Sequence, residues 1–82
     1  MMVTLLYFAV VRELVGVEEE ALRLPGDVRS VLDLSRFLEG HRPVLAGRLG
    51  SVRFARNEVF AAKDERLEEG DVIALIPPVA GG

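Results

Sequence analysis

Two long apolar segments stand near the ends of the chain, and a segment with helical spacing lies between them. Residues 3–11 form an almost unbroken apolar run, which is typical of a strand covered on both faces or carrying an apolar patch on one. Residues 72–76 predict a second apolar strand, which a pair of prolines ends. Residues 28–38 predict an amphipathic helix that follows an Asp27 N-cap and ends at Gly40. Its apolar stripe consists of Val28, Val31, Leu32, Ser35 and Leu38, widened by Leu34 and Phe37.

Shorter patterns predict the elements that flank this helix. Residues 12–14 precede Gly16 and predict a short helix that the glycine stops. Residues 18–24 predict an edge strand, whose charges discourage pairing with another sheet. A single helical turn is predicted at Pro43, because proline suits the first position of a helix.

A hairpin is predicted in the second half of the chain. Residues 51–56 alternate between apolar and polar positions, as a half-buried strand does. The turn falls at Asn57-Glu58, since asparagine tolerates a left-handed backbone. Residues 59–62 then return as the second strand of the hairpin.

The order of these elements predicts the α+β class and the β-grasp, or ubiquitin-like, architecture. The first and last strands are the most apolar and are expected at the centre of one mixed sheet of about five strands. One main helix is expected to cross a face of that sheet. Residues 1–82 would form one ubiquitin-like domain with a flexible tail at 77–82.

Strand alternation separates the residues of the two sheet faces. The set expected to face the helix is Val3, Leu5 and Tyr7. The set expected to face outward is Leu6, Phe8, Ala74, Ile76 and Phe60. An exposed apolar patch on a small protein usually marks an interaction site. The alternative is that Phe8 and Ile76 belong to the core.

Composition excludes several classes of function. Half of the 82 residues are hydrophobic, which suffices for a small core without metal or disulfide staples, and there is no cysteine. The formal net charge of −3 and a pI near 5.1 argue against nucleic-acid binding. No apolar run approaches the roughly 20 residues that cross a bilayer, and no signal peptide is recognised, so the cytoplasm is the expected location. The basic residues are nearly all arginine, with one loose group at Arg42, Arg48, Arg53 and Arg56.

The usual catalytic and metal-binding constellations are missing from the sequence. His41 is the single histidine and is interpreted as a solvated loop residue, since a nucleophilic triad needs a base beside a nucleophile. Glu18, Glu19 and Glu20 alternate between strand faces and are interpreted as a solvated charge run. No cluster has metal-ligand spacing, and the glycines form no phosphate-binding loop. Neither a metal nor a bound cofactor is expected.

The C-terminal tail offers a different chemistry. Its prolines hold the backbone extended, Val79 and Ala80 are small, and Gly81 and Gly82 have no Cβ. Such a tail can thread a narrow channel and deliver the carboxylate at its tip. A carboxylate is a poor electrophile until a partner enzyme activates it, for example as an acyl-adenylate. The alternative is a frayed terminus, since chain ends are often poorly ordered.

Two motifs near the chain ends resemble a known family. Residues 6–14, LYFAVVREL, are followed closely by Gly16, and residues 70–72, GDV, precede the ending PPVAGG at 77–82. With the spacing between them, these motifs resemble the MoaD family, the small subunit of molybdopterin synthase, over essentially the whole chain. The thiamine sulfur carrier ThiS is similar in fold and tip but is usually shorter and lacks that opening.

The resemblance implies a sulfur carrier in molybdenum cofactor biosynthesis. An adenylating enzyme of the MoeB type would use ATP to activate the Gly82 carboxylate, and sulfur would then replace AMP to leave a thiocarboxylate. The tail, with Gly81, would enter the large subunit, MoaE, and donate sulfur to cyclic pyranopterin monophosphate. In the family the synthase is a heterotetramer, with two small subunits at opposite ends of a large-subunit dimer. The residues that bind substrate are expected on the large subunit.

The resemblance also implies which residues bind partners. These are Phe8, Phe60, Ile76, Pro77, Pro78, Val79 and Ala80. Arg12 matches a family position too, and would either pair with a carboxylate near the sheet-to-helix turn or help to dock a partner. The hairpin sequence FAAK at 60–63 departs from the family, where more bulk or polarity is expected, and this bears on partner fit.

Other functions fit the same pattern. The chain could carry sulfur for thiamine or for tRNA thiolation. It could modify proteins through isopeptide bonds to lysines, as ubiquitin does. It could also be an interaction module whose tail has no chemical role.

Overall fold

The computed structural model describes residues 1–78 and confirms the predicted β-grasp architecture. Its elements are β1 (Met2–Tyr7), α1 (Ala9–Val15), β2 (Glu19–Arg23), α2 (Val31–His41), a 3-10 turn (Pro43–Leu45), β3 (Arg53–Arg56), β4 (Val59–Phe60) and β5 (Val72–Ile76). The five strands form one sheet in the order β2-β1-β5-β3-β4. β1 and β5 run parallel, and the other neighbours run antiparallel. Within these 78 residues, neither α-helix has the length and apolar character needed to cross a membrane.

The core lies between α2 and the inner face of the sheet. Val3, Leu5 and Tyr7 are all buried, so the inward assignment of β1 is confirmed. Full burial of one such aliphatic side chain is worth about 1.5–3 kcal/mol. The largest fully buried side chains are those of Tyr7, Leu5, Leu34, Leu38, Leu45, Ile73, Leu75 and Val3.

The predicted start of α2 at Asp27 was wrong. The N-cap is Ser30, whose Oγ accepts the Asp33 N–H at 3.1 Å, while the Asp33 carboxylate accepts the Ser30 N–H at 3.2 Å. This capping box satisfies two donors reciprocally, which Asp27 alone could not do. The N–H groups of Val31 and Leu32 donate to carbonyls of residues 65 and 63, so the first turn of the helix has no unpaired donor.

The other end and the apolar face of α2 also differ from the prediction. The helix continues past Gly40 to His41, which is therefore a helical residue and not part of a loop. Its exposed ring stacks on Phe37 with 5.2 Å between centroids. Leu34 lies at the centre of the buried stripe, whereas Leu32 is only half-buried.

The first apolar run contains two elements instead of one strand. β1 ends at Tyr7, and Ala9, with φ +50°, turns the chain directly into α1. The predicted strand extended to Val11 because valine suits either element, and the run has no polar residue at the boundary. α1 ends at Gly16, whose φ is +91° and whose N–H donates to the Arg12 carbonyl, so the predicted glycine stop is confirmed.

The hairpin turn falls where it was predicted. Asn57 and Glu58 have φ values of +51° and +72°, which are typical of a two-residue hairpin loop of the primed type. The return strand is shorter than predicted and contains only Val59 and Phe60. β2 and β4 are the two edges of the sheet, which confirms the predicted edge position of β2.

A buried carboxylate links the hairpin to β5. Asp71 accepts hydrogen bonds from Arg56 Nε at 2.6 Å, Asn57 Nδ2 at 3.0 Å and the Glu68 N–H at 2.7 Å. Burial alone would raise the pKa of this carboxyl, but the three donors and the positive charge of Arg56 outweigh it and lower the pKa.

A second polar network joins β1, β2 and the end of α2. The Tyr7 hydroxyl donates to Glu20 at 2.5 Å, and Arg42 Nη2 donates to the same carboxylate at 2.6 Å. Glu20 is therefore engaged, in contrast to the solvated role predicted for it. Burial and the neighbouring Glu20 carboxylate together raise the pKa of the Tyr7 hydroxyl well above its ordinary value.

Candidate functional site

The outer face of the sheet carries an apolar cleft of about 530 Å³. One row of side chains crosses four strands in register, from Leu6 through Ala74 and Ala55 to Phe60. The two alanines form a low floor, and the larger side chains at either end of the row form the walls. The cleft can therefore receive a bulky apolar group from another molecule.

Two aromatic residues stand at the rim of this cleft. Phe8 is 44% exposed and Phe60 is 51% exposed. The outward assignment of Phe8 is thus confirmed, and its alternative place in the core is wrong. Ile76 is half-buried and lies on the same outer face, since it lines the cleft with both aromatic rings.

The tail leaves the sheet beside the cleft. β5 ends at Ile76, and Leu75 pairs in parallel with Tyr7, so the residues that follow the two strands emerge at the same end of the sheet. Phe8 follows β1 there, and Pro77 follows β5. A partner that covers the cleft would therefore lie next to the root of the tail.

The root of the tail is packed against the domain. Pro77 is buried, while Pro78 is exposed. Both line a groove with Val10 of α1 and Leu49 of the loop that precedes β3. The direction in which the chain leaves the domain is therefore set by packing at Pro77.

The tip of the tail carries the remaining predicted site residues. Val79, Ala80, Gly81 and Gly82 lie outside the described residues, so their roles stay predictions. Within residues 1–78, no group of three or more His, Cys, Asp or Glu side chains is placed to hold a metal ion. The described residues supply the surface beside which the tail begins.

Arg53 belongs to the site but was not singled out by the sequence reasoning. Its guanidinium lies over the Phe60 ring, with Cζ 3.6 Å from the ring centroid. It also pairs in register with Ile76, the last residue of β5. The strand alternation at 51–56 could have placed Arg53 outward, but its stacking on the second hairpin strand depends on the short turn.

Arg12 pairs with a carboxylate, as one of its two predicted roles requires. Its Nη1 lies 3.3 Å from Glu18 Oε1, and both side chains are largely exposed. An exposed pair of this kind contributes about 0–1 kcal/mol to stability. A docking role for Arg12 stays a prediction.

Together these features describe a ubiquitin-like domain that presents an exposed apolar cleft beside the root of its C-terminal tail. The sequence matches the ThiS family over residues 5–82. It is 37% identical over 83 residues to the molybdopterin synthase sulfur carrier subunit of Homo sapiens, covering 98% of this chain and 93% of the relative. The corresponding subunit of Escherichia coli K12 is 36% identical over 83 residues, covering 99% and 100%. The chain belongs to the ThiS family and, within it, to the molybdopterin synthase sulfur carrier subunits, as the two sequence motifs predicted.

Solved structures agree with this assignment of the fold. SAMP1 from Haloferax volcanii superposes with a TM-score of 0.85 at 30% identity, over 100% of both chains. One chain of a complex of subunits 1 and 2 of the molybdopterin-converting factor from Helicobacter pylori also matches. Its TM-score is 0.70 at 29% identity, over 100% of this chain and 100% of that one.

Proposed function

We propose that this chain is the sulfur-donating subunit of a molybdopterin synthase, and that Gly82 carries the sulfur as a thiocarboxylate. The observation that carries the proposal is the position of the tail root, which follows the end of β5 next to an exposed apolar cleft. A partner bound at the cleft would receive the tail directly. Six residues beyond Ile76 can reach at most about 20 Å when fully extended, which is enough to enter a neighbouring active site.

The activation chemistry needs a separate adenylating enzyme of the MoeB type. A Gly82 carboxylate oxygen attacks the α-phosphorus of ATP, and pyrophosphate leaves. A sulfide nucleophile then attacks the carbonyl carbon, and AMP leaves to give the thiocarboxylate. Glycines at 81 and 82 suit this chemistry, because a backbone without Cβ atoms lets the groups of another enzyme approach the reacting carbon closely.

The acceptor step takes place on a second partner, the large subunit of the MoaE type. The solved complex from Helicobacter pylori pairs subunit 1 with subunit 2 of its converting factor. By analogy, the apolar cleft of this chain docks on its own large subunit and the tail delivers sulfur to cyclic pyranopterin monophosphate. A heterotetramer, with two small subunits on a large-subunit dimer, is the proposed assembly.

Intact mass spectrometry tests the proposal. The chain is incubated with ATP, sulfide and a MoeB-type adenylating enzyme, and we expect the mass gain that replacement of one oxygen by sulfur produces. Removing Gly82, or adding a residue after it, should abolish that gain. Both variants should keep the melting temperature of the unaltered chain, because the change lies beyond the packed Pro77.

The result separates the competing functions. Sulfur loading by the variant that lacks Gly82 would contradict the mechanism. Absence of loading in the unaltered chain, with an adenylating enzyme shown to load another carrier, would also contradict it. Transfer of the sulfur to the pyranopterin in the presence of the large subunit would show that the chain serves molybdopterin synthesis, whereas loading without transfer would favour thiamine or tRNA thiolation.

Protein modification is the second candidate function. The observation that favours it is the similarity to SAMP1 of Haloferax volcanii, a small archaeal modifier protein, which covers the whole of both chains. An activated Gly82 carbonyl would then be attacked by a lysine amine, with formation of an isopeptide bond. Digests of cell extracts should in that case contain lysines that carry the C-terminal glycines of this chain.

A further inference from the structure

We infer that Arg53 is a specificity residue of the docking face and that it pairs with a carboxylate of the large subunit at the rim of the cleft. The inference rests on the proposed function, because it deepens the description of the same interface. It starts from the position of Arg53, which stands opposite Ile76 in the register of β3 and β5. The guanidinium is therefore beside both the cleft and the root of the tail.

The stack on Phe60 holds the guanidinium in one orientation. With Cζ at 3.6 Å from the ring centroid, one face of the planar group is covered by the ring. Stacking of this kind leaves the N–H groups at the edge of the plane available for hydrogen bonds. Within residues 1–78, Arg53 makes no side-chain hydrogen bond and no ion pair.

Two of the other three arginines of the loose basic group have partners within the domain, and the third, Arg48, lines the groove at Pro77 and Pro78 and not the side of Phe60. Arg42 is engaged by Glu20, and Arg56 is engaged by Asp71 and Glu65. Their charges are compensated inside the domain. Arg53, by contrast, has no anionic partner within residues 1–78, and its guanidinium lies on the outer face next to the exposed ring of Phe60.

Docking changes the environment of this cation. A partner that covers Phe60 and Ile76 removes water from the neighbouring guanidinium. A cation that loses its water is stable only if it gains an anionic partner with hydrogen bonds. In a protein surface that partner is an Asp or Glu carboxylate, whose two oxygens match the fork of the guanidinium. The large subunit would therefore carry an acidic residue where it meets the rim of the cleft.

Titration calorimetry with the purified large subunit from the same organism tests this inference. Arg53→Met should weaken binding about 30-fold or more, since loss of one member of a desolvated charge pair is costly. Arg53→Lys should recover only part of the affinity, because lysine keeps the charge but not the planar fork. Arg23→Met is the matched control. Arg23 is an exposed arginine on the same face, opposite Met2 at the far edge of the sheet, and its loss should change the affinity by less than about twofold.

Charge reversal then identifies the partner residue. Arg53→Glu should abolish binding, and one Asp→Arg or Glu→Arg change on the large subunit should restore it. Melting temperatures of all Arg53 variants should stay close to that of the unaltered chain, because the side chain is exposed. Equal binding by Arg53→Met would overturn the inference alone, as would a loss that no reversal on the large subunit restores. Failure of the unaltered chain to bind the large subunit would instead overturn the proposed partner.

Discussion

Glu58 occupies a backbone conformation that glutamate rarely adopts. Its φ of +72° follows the φ of +51° at Asn57, and the two residues make the whole turn between β3 and β4. Asparagine tolerates this region, whereas a residue with a longer side chain is strained by about 1–2 kcal/mol. The short loop that contains this strained residue places Phe60 opposite Ala55 and beside Arg53, and these contacts offset the strain.

Replacing Glu58 by glycine should stabilise the protein. Glycine adopts a positive φ without strain but is more flexible in the unfolded chain, so we expect a gain of up to about 1 kcal/mol in the free energy of unfolding. Urea denaturation measures it. Glu58→Ala is the control, since it removes the carboxylate and keeps the strained backbone. An equal gain in the alanine variant would show that charge, and not backbone strain, is responsible.

Tyr7 should make the stability of the protein fall in alkaline solution. The folded state holds the pKa of its hydroxyl above the ordinary value of about 10, so the unfolded state loses this proton first as the pH rises. The contribution is complete below about pH 10 and is lost as the pH rises toward the folded pKa. Tyr7 is the single tyrosine, so absorbance of the tyrosinate reports its titration directly.

The Tyr7→Phe variant completes this experiment. It should be less stable at neutral pH by about 1.5–3 kcal/mol, because a hydrogen bond to the Glu20 carboxylate is lost. The stability difference between the two proteins should shrink above about pH 10. A tyrosinate titration midpoint at the ordinary value would contradict the burial and hydrogen bonding of this hydroxyl.

Asp71 connects the hairpin to the segment that precedes β5. It stands immediately before β5 and accepts donors from the end of β3, from the hairpin turn and from residue 68. Because β5 is the middle strand of the sheet, the carboxylate fixes the hairpin relative to the strand that leads into the tail. The hairpin carries Phe60 and Arg53, so this buried network also positions one side of the docking face.

Asp71→Asn should lower stability at neutral pH and weaken its dependence on acid. The folded pKa of Asp71 is below its ordinary value, so its contribution is present above about pH 4 and is lost as the pH falls through the folded pKa. We expect a loss of about 1–3 kcal/mol near pH 7 and a flatter acid profile, measured by urea denaturation. Asp27→Asn is the control, because Asp27 is exposed and does not cap α2. Identical acid profiles for Asp71→Asn and the unaltered chain would contradict the role of this carboxylate.

The elements themselves were largely predictable, and their boundaries were less so. The helical spacing of residues 28–38, the glycine stop at Gly16 and the Asn57 turn depend on local preferences that the sequence displays. The start of α2 depends on Ser30 and Asp33 facing carbonyls from residues 63 and 65, a tertiary arrangement that no local pattern shows. The end of β1 depends on the left-handed backbone of Ala9, a conformation that alanine does not favour and that the sequence therefore does not indicate.

The candidate site divides in the same way. Alternation along β1 and β5 was sufficient to place Phe8 and Ile76 on the outer face. The stack of Arg53 on Phe60 required the register across the turn, and the engagement of Glu20 by Arg42 required contacts between residues 22 positions apart. Contacts of this kind join residues that are far apart in the chain, and no local sequence pattern indicates them.

At the scale of the whole molecule, the two faces of the sheet have different surroundings. The inner face packs on α2, while the outer face presents the cleft. Changes on the outer face should therefore affect binding much more than folding.

Phe8→Asp tests this division. It should weaken binding to the large subunit strongly, because a charge would enter the apolar contact, yet cost less than about 1 kcal/mol of stability. Val17→Asp is the matched control, since Val17 is 43% exposed, against 44% for Phe8, and does not line the cleft. Leu5→Asp, at a fully buried position, should unfold the domain. Calorimetric binding and thermal melting measure the two effects, and a large fall in melting temperature for Phe8→Asp would place this ring in the core.

The parallel pair of β1 and β5 also has a consequence for how the protein is made. The ribosome delivers β1 early and β5 about seventy residues later, so the centre of the sheet closes only when synthesis has passed β5. A nascent or truncated chain without β5 has no cleft, since Ala74 and Ile76 are missing from it. The same strand that completes the docking face leads directly into the tail. An activating enzyme that recognises this face would therefore engage only chains whose translation and folding have both passed this point.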